Sequence, residues 1–336
     1  MQNGGRPDSY DIRNYKDGIF RKRINDKFIY YYITNEKEVT DKDYSRIKKL
    51  GIPPAWENVW ISVDAKSKIQ AVGIDIKGRK QYRYHTDHIE LAEKQKFVRL
   101  LDFIKALPAL ENYMKLHNKL GIYEKNRVIS TMLNIVKLTY MRVGKEQYAR
   151  ENKSYGISSL KKTHMKITSD TINFNFKGKS NQRLNYTLKN PELKSHLQIL
   201  EKLEGEKLFQ YIDIENKIKR ITDKDINEYI QMFMGKDFSI KDFRTYAANY
   251  HFINALLGET KKRLPKDDKS KKTNILKALK KTAKYLKHTK AISKKSYVMN
   301  FMIELYIDNP NYFIEKKYYD TDEVLLDLLK LYKKSI

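Results

Sequence analysis

Strand-type patterns fill the first ninety or so residues, and a helical period takes over beyond them. "KFIYYYI" (Lys27 to Ile33), rich in aromatic and β-branched residues, predicts a strand. Thr40 is placed to N-cap a helix through "DKDYSRIKKL", which Gly51 and the Pro53-Pro54 pair bring to a stop. "VWISV" alternates, and "KIQAVGIDIKGRKQYRYH" predicts two strands around a turn at Lys77-Gly78. In the second arm, Lys80 to His85, Gln81, Arg83 and His85 fall on one face and Tyr82 and Tyr84 on the other.

From about Glu90 the spacing is helical. "IELAEKQKFVRLLDFIKAL" predicts a helix ending at Pro108, with a second running to about His117. "NRVISTMLNIVKLTYMRVG" carries Val128, Met132, Val136 and Met141 near helical spacing, with Gly144 as its stop. A short β-rich insert covers about Met165 to Leu188, turning at "KGKSNQ". Helices are expected again over about 193–203, 222–234, 239–256, 270–286, 293–306 and 321–334, with "KKRLPKDDKSKK" (261–272) as a polar connection. No internal repeat is visible. The expected class is α+β: a small β-rich N-terminal domain over 1–90, then a larger, mainly α domain over 91–336 with a short β-hairpin insert.

Composition adds a partner to this picture. Apolar residues make up 40% of the 336, enough for a buried core, so wholesale disorder is not expected. The net charge of +27 is spread along the whole chain, and the usual partner that neutralises such a field is a polyanion. A membrane surface is one, but no stretch approaches the roughly 20 apolar residues of a spanning helix. The opening "MQNGGRPDSYDIRNYKDG" has no apolar run fit for a secretory signal, and there is no cysteine for a disulfide or a thiolate. An intracellular protein acting on nucleic acid is the expectation.

Several chemistries are unsupported. Neither GxxxxGK[ST] nor GxGxxG occurs, the seven histidines form no HExxH or metal-ligand spacing, and GxSxG is missing. A nucleophilic side chain with cationic helpers remains. Arg142, in "YMRVGKEQY", ends a strongly apolar helix, where a charge is unexpected without an anionic partner. Arg244 stands among aromatic and small residues in "IKDFRTYAANYHF", and Lys179 lies at the tip of the hairpin "FKGKSN". "KHTKAISKKSYVM" sets His288 nine places before Tyr297 in a lysine-rich setting. Each has an ordinary explanation by itself: a capping arginine, a solvated turn lysine, one packing tyrosine among 25.

Taken in order, the set is more specific. The sequence resembles the type IB DNA topoisomerases, in particular the compact poxvirus-type branch found also in bacteria and giant DNA viruses. "RVGKEQYARENKSYGISSLKKTH" resembles the family's block R-x-G-x-x-x-Y-x-x-x-N-x-x-x-G. "IPPAWENVW" with "GRKQYRYH" resembles its N-terminal DNA-contacting domain, and "KDFRTYAAN" and "HTKAISKKSY" its second-arginine and tyrosine segments. The likeness covers roughly residues 25–315.

That resemblance implies the catalytic fold shared by tyrosine recombinases and type IB topoisomerases, and a site made of Arg142, Lys179, Arg244, His288 and Tyr297. Tyr297 is then the nucleophile on a DNA phosphodiester, giving a 3′-phosphotyrosyl link that stores the bond for religation without ATP. Arg142 and Arg244 bind the extra charge of the transition state, His288 donates to a non-bridging oxygen, and Lys179 protonates the leaving 5′-oxygen. Positioned cations take the part of a metal, so no cofactor is expected. Gln81, Tyr82 and Tyr84 correspond to N-terminal DNA contacts, with Gln81 suited to read a major-groove edge, and Lys145, Tyr148 and Lys241 to contacts beside the arginines. The implied partner is double-stranded DNA gripped by a monomer in a two-lobed clamp. The setting is a virion or cytoplasmic viral factory for a viral member, and the nucleoid for a bacterial one.

Two departures stand out. The loop before the tyrosine, usually G-[HN]-T-P in the family, is Lys287-His288-Thr289-Lys290 here, which predicts a less constrained loop. Ile74 stands where a basic residue is common, which bears on base preference. Tyrosine recombinases share the His-to-Tyr spacing, but they usually carry H-x-x-R at the second arginine, and this chain has Lys241-Asp242-Phe243-Arg244. A non-catalytic architectural binder would explain the charge and leave the ordered set unexplained.

Overall fold

Residues 15–335 are described by a computed structural model, so the reading of residues 1–14 as free of a secretory signal lies outside the described residues. The first strands are β1 (Ile19–Ile24) and β2 (Lys27–Tyr32), followed by α1 (Asp41–Lys49), β3 (Glu57–Ile61), β4 (Ile69–Ile74) and β5 (Lys80–Tyr84). The strands form one antiparallel sheet in the order β2-β1-β3-β4-β5. Asn25 and Asp26, both at positive φ, make the two-residue turn between β1 and β2. Strand β1 is absent from the sequence-based expectation because three consecutive charges interrupt "IFRKRI". It forms because Ile19 enters the core while Arg21 lies over the Phe28 ring at 4.1 Å. Thr40 does cap α1, accepting from the Asp43 amide at 3.3 Å, and Ile47 of that helix packs with Ile19, Val59, Ile61 and Ala71.

Next comes α2 (Thr86–His117), and the chain divides into two compact units between Lys96 and Phe97, within this helix. The expected break at Pro108 does not occur: one 32-residue helix runs through it. Proline removes one helical hydrogen bond. Leu100, Leu101 and Phe103 before it and Leu110 and Met114 after it are nevertheless all buried in one core, and that shared burial keeps both halves aligned.

The second unit continues with α3 (Lys125–Thr139) and α4 (Glu146–Asn152). A three-stranded antiparallel sheet follows, of β6 (Met165–Ile167), β7 (Ile172–Lys177) and β8 (Arg183–Leu188). Then come α5 (Pro191–Leu200), the hairpin β9 (Gln210–Ile212) and β10 (Ile218–Arg220), α6 (Asp223–Met234), α7 (Ile240–Lys262) and α8 (Asp268–Leu286). The chain ends with α9 (Lys290–Ser296), α10 (Asn300–Asp308), α11 (Pro310–Glu315) and α12 (Thr321–Ser335). Helix α7 buries residues on every side, among them Phe243, Ala247, Phe252 and Leu256, as befits a helix inside the core. Its start is fixed by Asp242, which accepts from the Ser239 amide at 2.9 Å and pairs with Arg99 of α2 at 3.0 Å.

Three expectations in this unit are corrected. Helix α3 stops at Thr139, before Gly144, because Tyr140 takes a left-handed conformation (φ 52°) and its amide closes on the Val136 carbonyl. The polar stretch 261–272 is mostly helical, since Asp267 caps α8 through the Ser270 amide and leaves 263–267 as the connection. The helix expected over 293–306 is two helices, α9 and α10, interrupted at Tyr297. Among the described residues, no helix is long and apolar enough to cross a membrane.

Candidate active site

Arg142 follows the left-handed turn at Tyr140, and its backbone is fixed by the segment after α4. Its carbonyl accepts from the Ile157 amide at 2.9 Å, and the Ser158 amide reaches the Val143 carbonyl at 2.8 Å. Gly144 (φ +77°) and Gly156 lie back to back. A Cβ on Gly144 would stand 2.6 Å from the Gly156 nitrogen, and one on Gly156 would stand 2.4 Å from the Arg142 carbonyl oxygen. No side chain fits there. The spacing of the two glycines in "RVGKEQYARENKSYG" thus closes a loop whose product is the position of Arg142.

Arg244 projects from the middle of α7 and is only 3% exposed. Nη1 donates to the Tyr140 carbonyl, Nη2 donates to the Leu286 carbonyl at 2.9 Å, and Nη2 also faces His288 Nδ1 at 3.4 Å. Its Nε is buried without a hydrogen-bond partner among the described residues. A buried, unmatched donor on a permanently charged group is costly unless an acceptor arrives.

His288 follows Lys287, the left-handed residue (φ 51°) that ends α8. Since Arg244 can only donate, His288 Nδ1 is the acceptor, and Nε2 carries the ring proton toward Ser293 Oγ at 2.7 Å. Burial, with the charges of Arg244 and Arg142, lowers the ring's pKa to about 4. The imidazole is therefore neutral near pH 7 and still a donor.

Tyr297 sits in the gap between α9 and α10. Thr289 caps α9 by accepting from the Ile292 amide, while fully buried Asn249 of α7 holds the gap itself. Asn249 Nδ2 donates to the Tyr297 carbonyl at 3.0 Å, and its Oδ1 accepts from the Met299 amide at 2.9 Å. The phenol ring stacks on His288 with centroids 5.1 Å apart, and the Arg244 guanidinium carbon lies 5.6 Å from the ring centre. Burial alone would raise the phenol's pKa, but the charges of Arg244 and Arg142 and their hydrogen bonds outweigh it and hold the group below the ordinary tyrosine value.

The structure thus brings four of the five candidates together: Arg142, Arg244, His288 and Tyr297. Lys179 lies apart at the exposed hairpin tip between β7 and β8, and it shares no hydrogen bond or ion pair with the four among the described residues. Lys145 and Tyr148 are exposed on α4, with Lys145 at its N-cap, and Lys241 is exposed one turn before Arg244. In the first unit, Tyr82 and Tyr84 stack at 5.8 Å on an exposed face of β5, with the Lys80 ammonium over Tyr82. Gln81 is on the opposite face, where its amide donates to Asp75 at 3.0 Å. These three residues therefore do not form one surface. Sequence reading missed Asn249 and Ser293. An asparagine amid "RTYAANYHF" and a serine one helical turn before the tyrosine were the available signals.

The departures at Lys287 and Lys290 have local accounts. Lys287 takes the left-handed turn that glycine adopts freely, at a cost of about 1 kcal/mol. Lys290 is the first residue of α9, the helix position proline favours. The loop is nonetheless held, by the Thr289 cap and by the His288 amide, which donates to the Ala283 carbonyl at 3.1 Å.

The electrostatics of His288 lead to a direct test. In DNA-free protein its ring should titrate near pH 4, well below the ordinary 6.5. Since the folded state holds the lower pKa, this group's contribution to stability is complete above about pH 6.5 and is lost as the pH falls toward 4. NMR titration, with His288→Gln to assign the signal, reads the midpoint. A value near 6.5 would refute the buried, doubly flanked environment.

A phenol held below its ordinary pKa, two guanidinium groups and a neutral imidazole donor, in a strongly positive α+β chain, form a set chemically suited to phosphodiester transfer through tyrosine. Comparisons with known proteins identify the family. Residues 77–317 match the model of the eukaryotic DNA topoisomerase I catalytic core, and residues 27–75 match the bacterial DNA topoisomerase IB N-terminal domain. The chain is 57% identical over 332 residues to DNA topoisomerase 1B of Acanthamoeba polyphaga mimivirus, covering 98% of this chain and 99% of that one. It is 26% identical to DNA topoisomerase 1B of vaccinia virus (strain Copenhagen) over 75% of this chain and 76% of that one. For DNA topoisomerase 1 of rabbit fibroma virus the figures are 27%, over 86% and 88%. The chain belongs to the type IB DNA topoisomerases. The recombinase and architectural-binder alternatives give way to that assignment.

Proposed function

We propose that this enzyme relaxes supercoiled double-stranded DNA by cutting one strand through Tyr297, letting the duplex swivel, and resealing it. The observation that carries this reading is the convergence of Tyr297 with His288 and Arg244 in one buried site, the phenol stacked on the imidazole at 5.1 Å with the Arg244 guanidinium 5.6 Å from its ring centre. The phenol loses its proton to water, and its oxygen attacks phosphorus. A Tyr297–phosphorus bond forms as the bond to the 5′-oxygen breaks, leaving a 3′-phosphotyrosyl link. Charge building on the non-bridging oxygens meets Arg142 and the unpartnered Nε of Arg244, and His288 Nε2–H turns from Ser293 to donate to one of them. Lys179, free at the hairpin tip, supplies the proton for the departing 5′-oxygen. Religation reverses these steps, and the energy conserved in the link removes any need for ATP.

Fixed cations supply the charge stabilisation that a metal gives elsewhere, so the reaction is expected to run without metal or cofactor. One chain carries all four converged groups, which supports action as a monomer. Exposed Tyr82, Tyr84, Lys145, Tyr148 and Lys241 are suited to contact DNA backbone.

The test is relaxation of negatively supercoiled plasmid by catalytic amounts of protein in EDTA without ATP. Multiple turnovers with a covalent protein–DNA adduct are expected, and binding without relaxation would sink the reading. The acid is tested separately. Lys179→Ala should cleave ordinary duplex roughly a hundredfold or more slowly. It should recover on a 5′-bridging phosphorothiolate, whose sulfur leaves without a proton. Failure to recover would move the acid role elsewhere, with Lys177 and Lys241 next to test.

A further inference from the structure

A cavity of about 300 Å³ opens between strand β8 and the C-terminal end of α8, and His288 forms part of its wall. Gln182, Arg183 and Asn185 line it from the hairpin side, and Lys284 and Lys287 from the helix side. No acidic residue lines it, and none of its three cations has an acidic partner among the described residues. Arg183 bonds only the neutral Asn175, at 3.3 Å. The ammonium of half-buried Lys287 rests 4.8 Å from the centre of the Tyr186 ring. Held on an aromatic face, it can receive an anion without first breaking an ion pair. Its backbone also sits at φ +51°, where glycine would be free of strain but would bring no charge.

We propose that this cavity binds a second phosphate of the cleaved strand, the phosphodiester next to the scissile one, with Lys287 as its principal cation. The inference rests on the reading of Tyr297 as a strand-cleaving nucleophile. His288 belongs both to that site and to the cavity wall, so an anion in the cavity neighbours the phosphate that His288 touches. Positive charge without acidic partners, gathered at one open recess, attracts a phosphate. Lysine serves here as a point charge, and the amides of Gln182 and Asn185 add donors. Anchoring this neighbour fixes the scissile phosphate for in-line attack. It also adds one ionic contact to the salt dependence of binding.

The experiment uses a short duplex whose cleavage position has been mapped from the covalent adduct. Single-turnover cleavage is compared for duplexes with one uncharged methylphosphonate at either phosphate flanking the scissile one. Wild-type enzyme should lose about tenfold at one of the two positions, and Lys287→Gln should lose about as much on unmodified duplex. At the sensitive position Lys287→Gln should show no further loss, because the contact is already gone. Lys287→Gly, which relieves the backbone and still lacks the charge, should cleave as slowly as Lys287→Gln. The proposal is overturned if wild type tolerates both modifications, if Lys287→Gln stays as sensitive as wild type, or if Lys287→Gly recovers the wild-type rate. If unmodified duplex gives no adduct at Tyr297 even with wild type, the reading of the nucleophile fails first, and this inference with it.

Discussion

Tyr297→Phe is expected to bind duplex DNA with the wild-type dependence on salt, to form no covalent adduct, and to relax no plasmid. The substitution removes one oxygen and leaves the ring, so the stack on His288 at 5.1 Å and the place over Arg244 remain. Neither Asn249 bond is touched, because both go to backbone atoms. Binding rests on the distributed positive charge of the chain, which is also unchanged. Denaturing gels of the protein with labelled duplex measure the adduct, and a salt titration of binding measures the rest. An adduct with Tyr297→Phe would move the nucleophile to another of the 25 tyrosines.

Arg244→Lys should slow cleavage by about a hundredfold to a thousandfold, although the formal charge is kept. The guanidinium does several things at once that an ammonium on a flexible stem cannot. Its two terminal nitrogens engage the carbonyls of Tyr140 and Leu286, Nη2 fixes the tautomer of His288, and Nε stays aimed and unfilled. Lysine keeps attraction for phosphate and loses this division of labour. Single-turnover cleavage under saturating enzyme reads the effect, with thermal denaturation showing whether the fold survives. A rate within a few-fold of wild type would mean that Arg244 acts only as a charge. Arg244→Ala goes further. With burial opposed by Arg142 alone, the Tyr297 phenol should rise in pKa, and the pH profile of residual cleavage should shift to higher pH.

Much of this was legible in the residues. Thr40 and its helix, the β4–β5 pair and the hairpin over 165–188 are local features, carried by patterning and turn chemistry that tertiary contacts do not override. Arg142, Arg244, His288 and Tyr297 stand out through the resemblance of their segments to the family's blocks, since each alone has an ordinary explanation, and the structure places the four together. What escaped depends on contacts far apart in sequence. The interruption at Tyr297 has no proline or glycine to announce it; Asn249, 48 residues earlier, imposes it through its side chain. Gly144 looks like the end of a helix and is instead half of a close approach to Gly156. Lys287 is legible as a replacement for the family's usual glycine, and its backbone angle shows that the left-handed turn is kept. Pro108 misled because local propensity was set against a core that buries both halves of α2.

The clasp of Asn249 on the gap around Tyr297 has a mechanical side. In the proposed reaction a DNA strand joined to the phenol would load that one side chain as the duplex moves. Such a load would enter the backbone at the joint between α9 and α10, and the buried amide of Asn249 ties that joint to α7. Arg244 stands on the same helix, little more than one turn away. Tyr297 and the Arg244 guanidinium are therefore fastened to a single helix, α7. In the proposed reaction, a load on the strand would then move the two together and keep their mutual geometry.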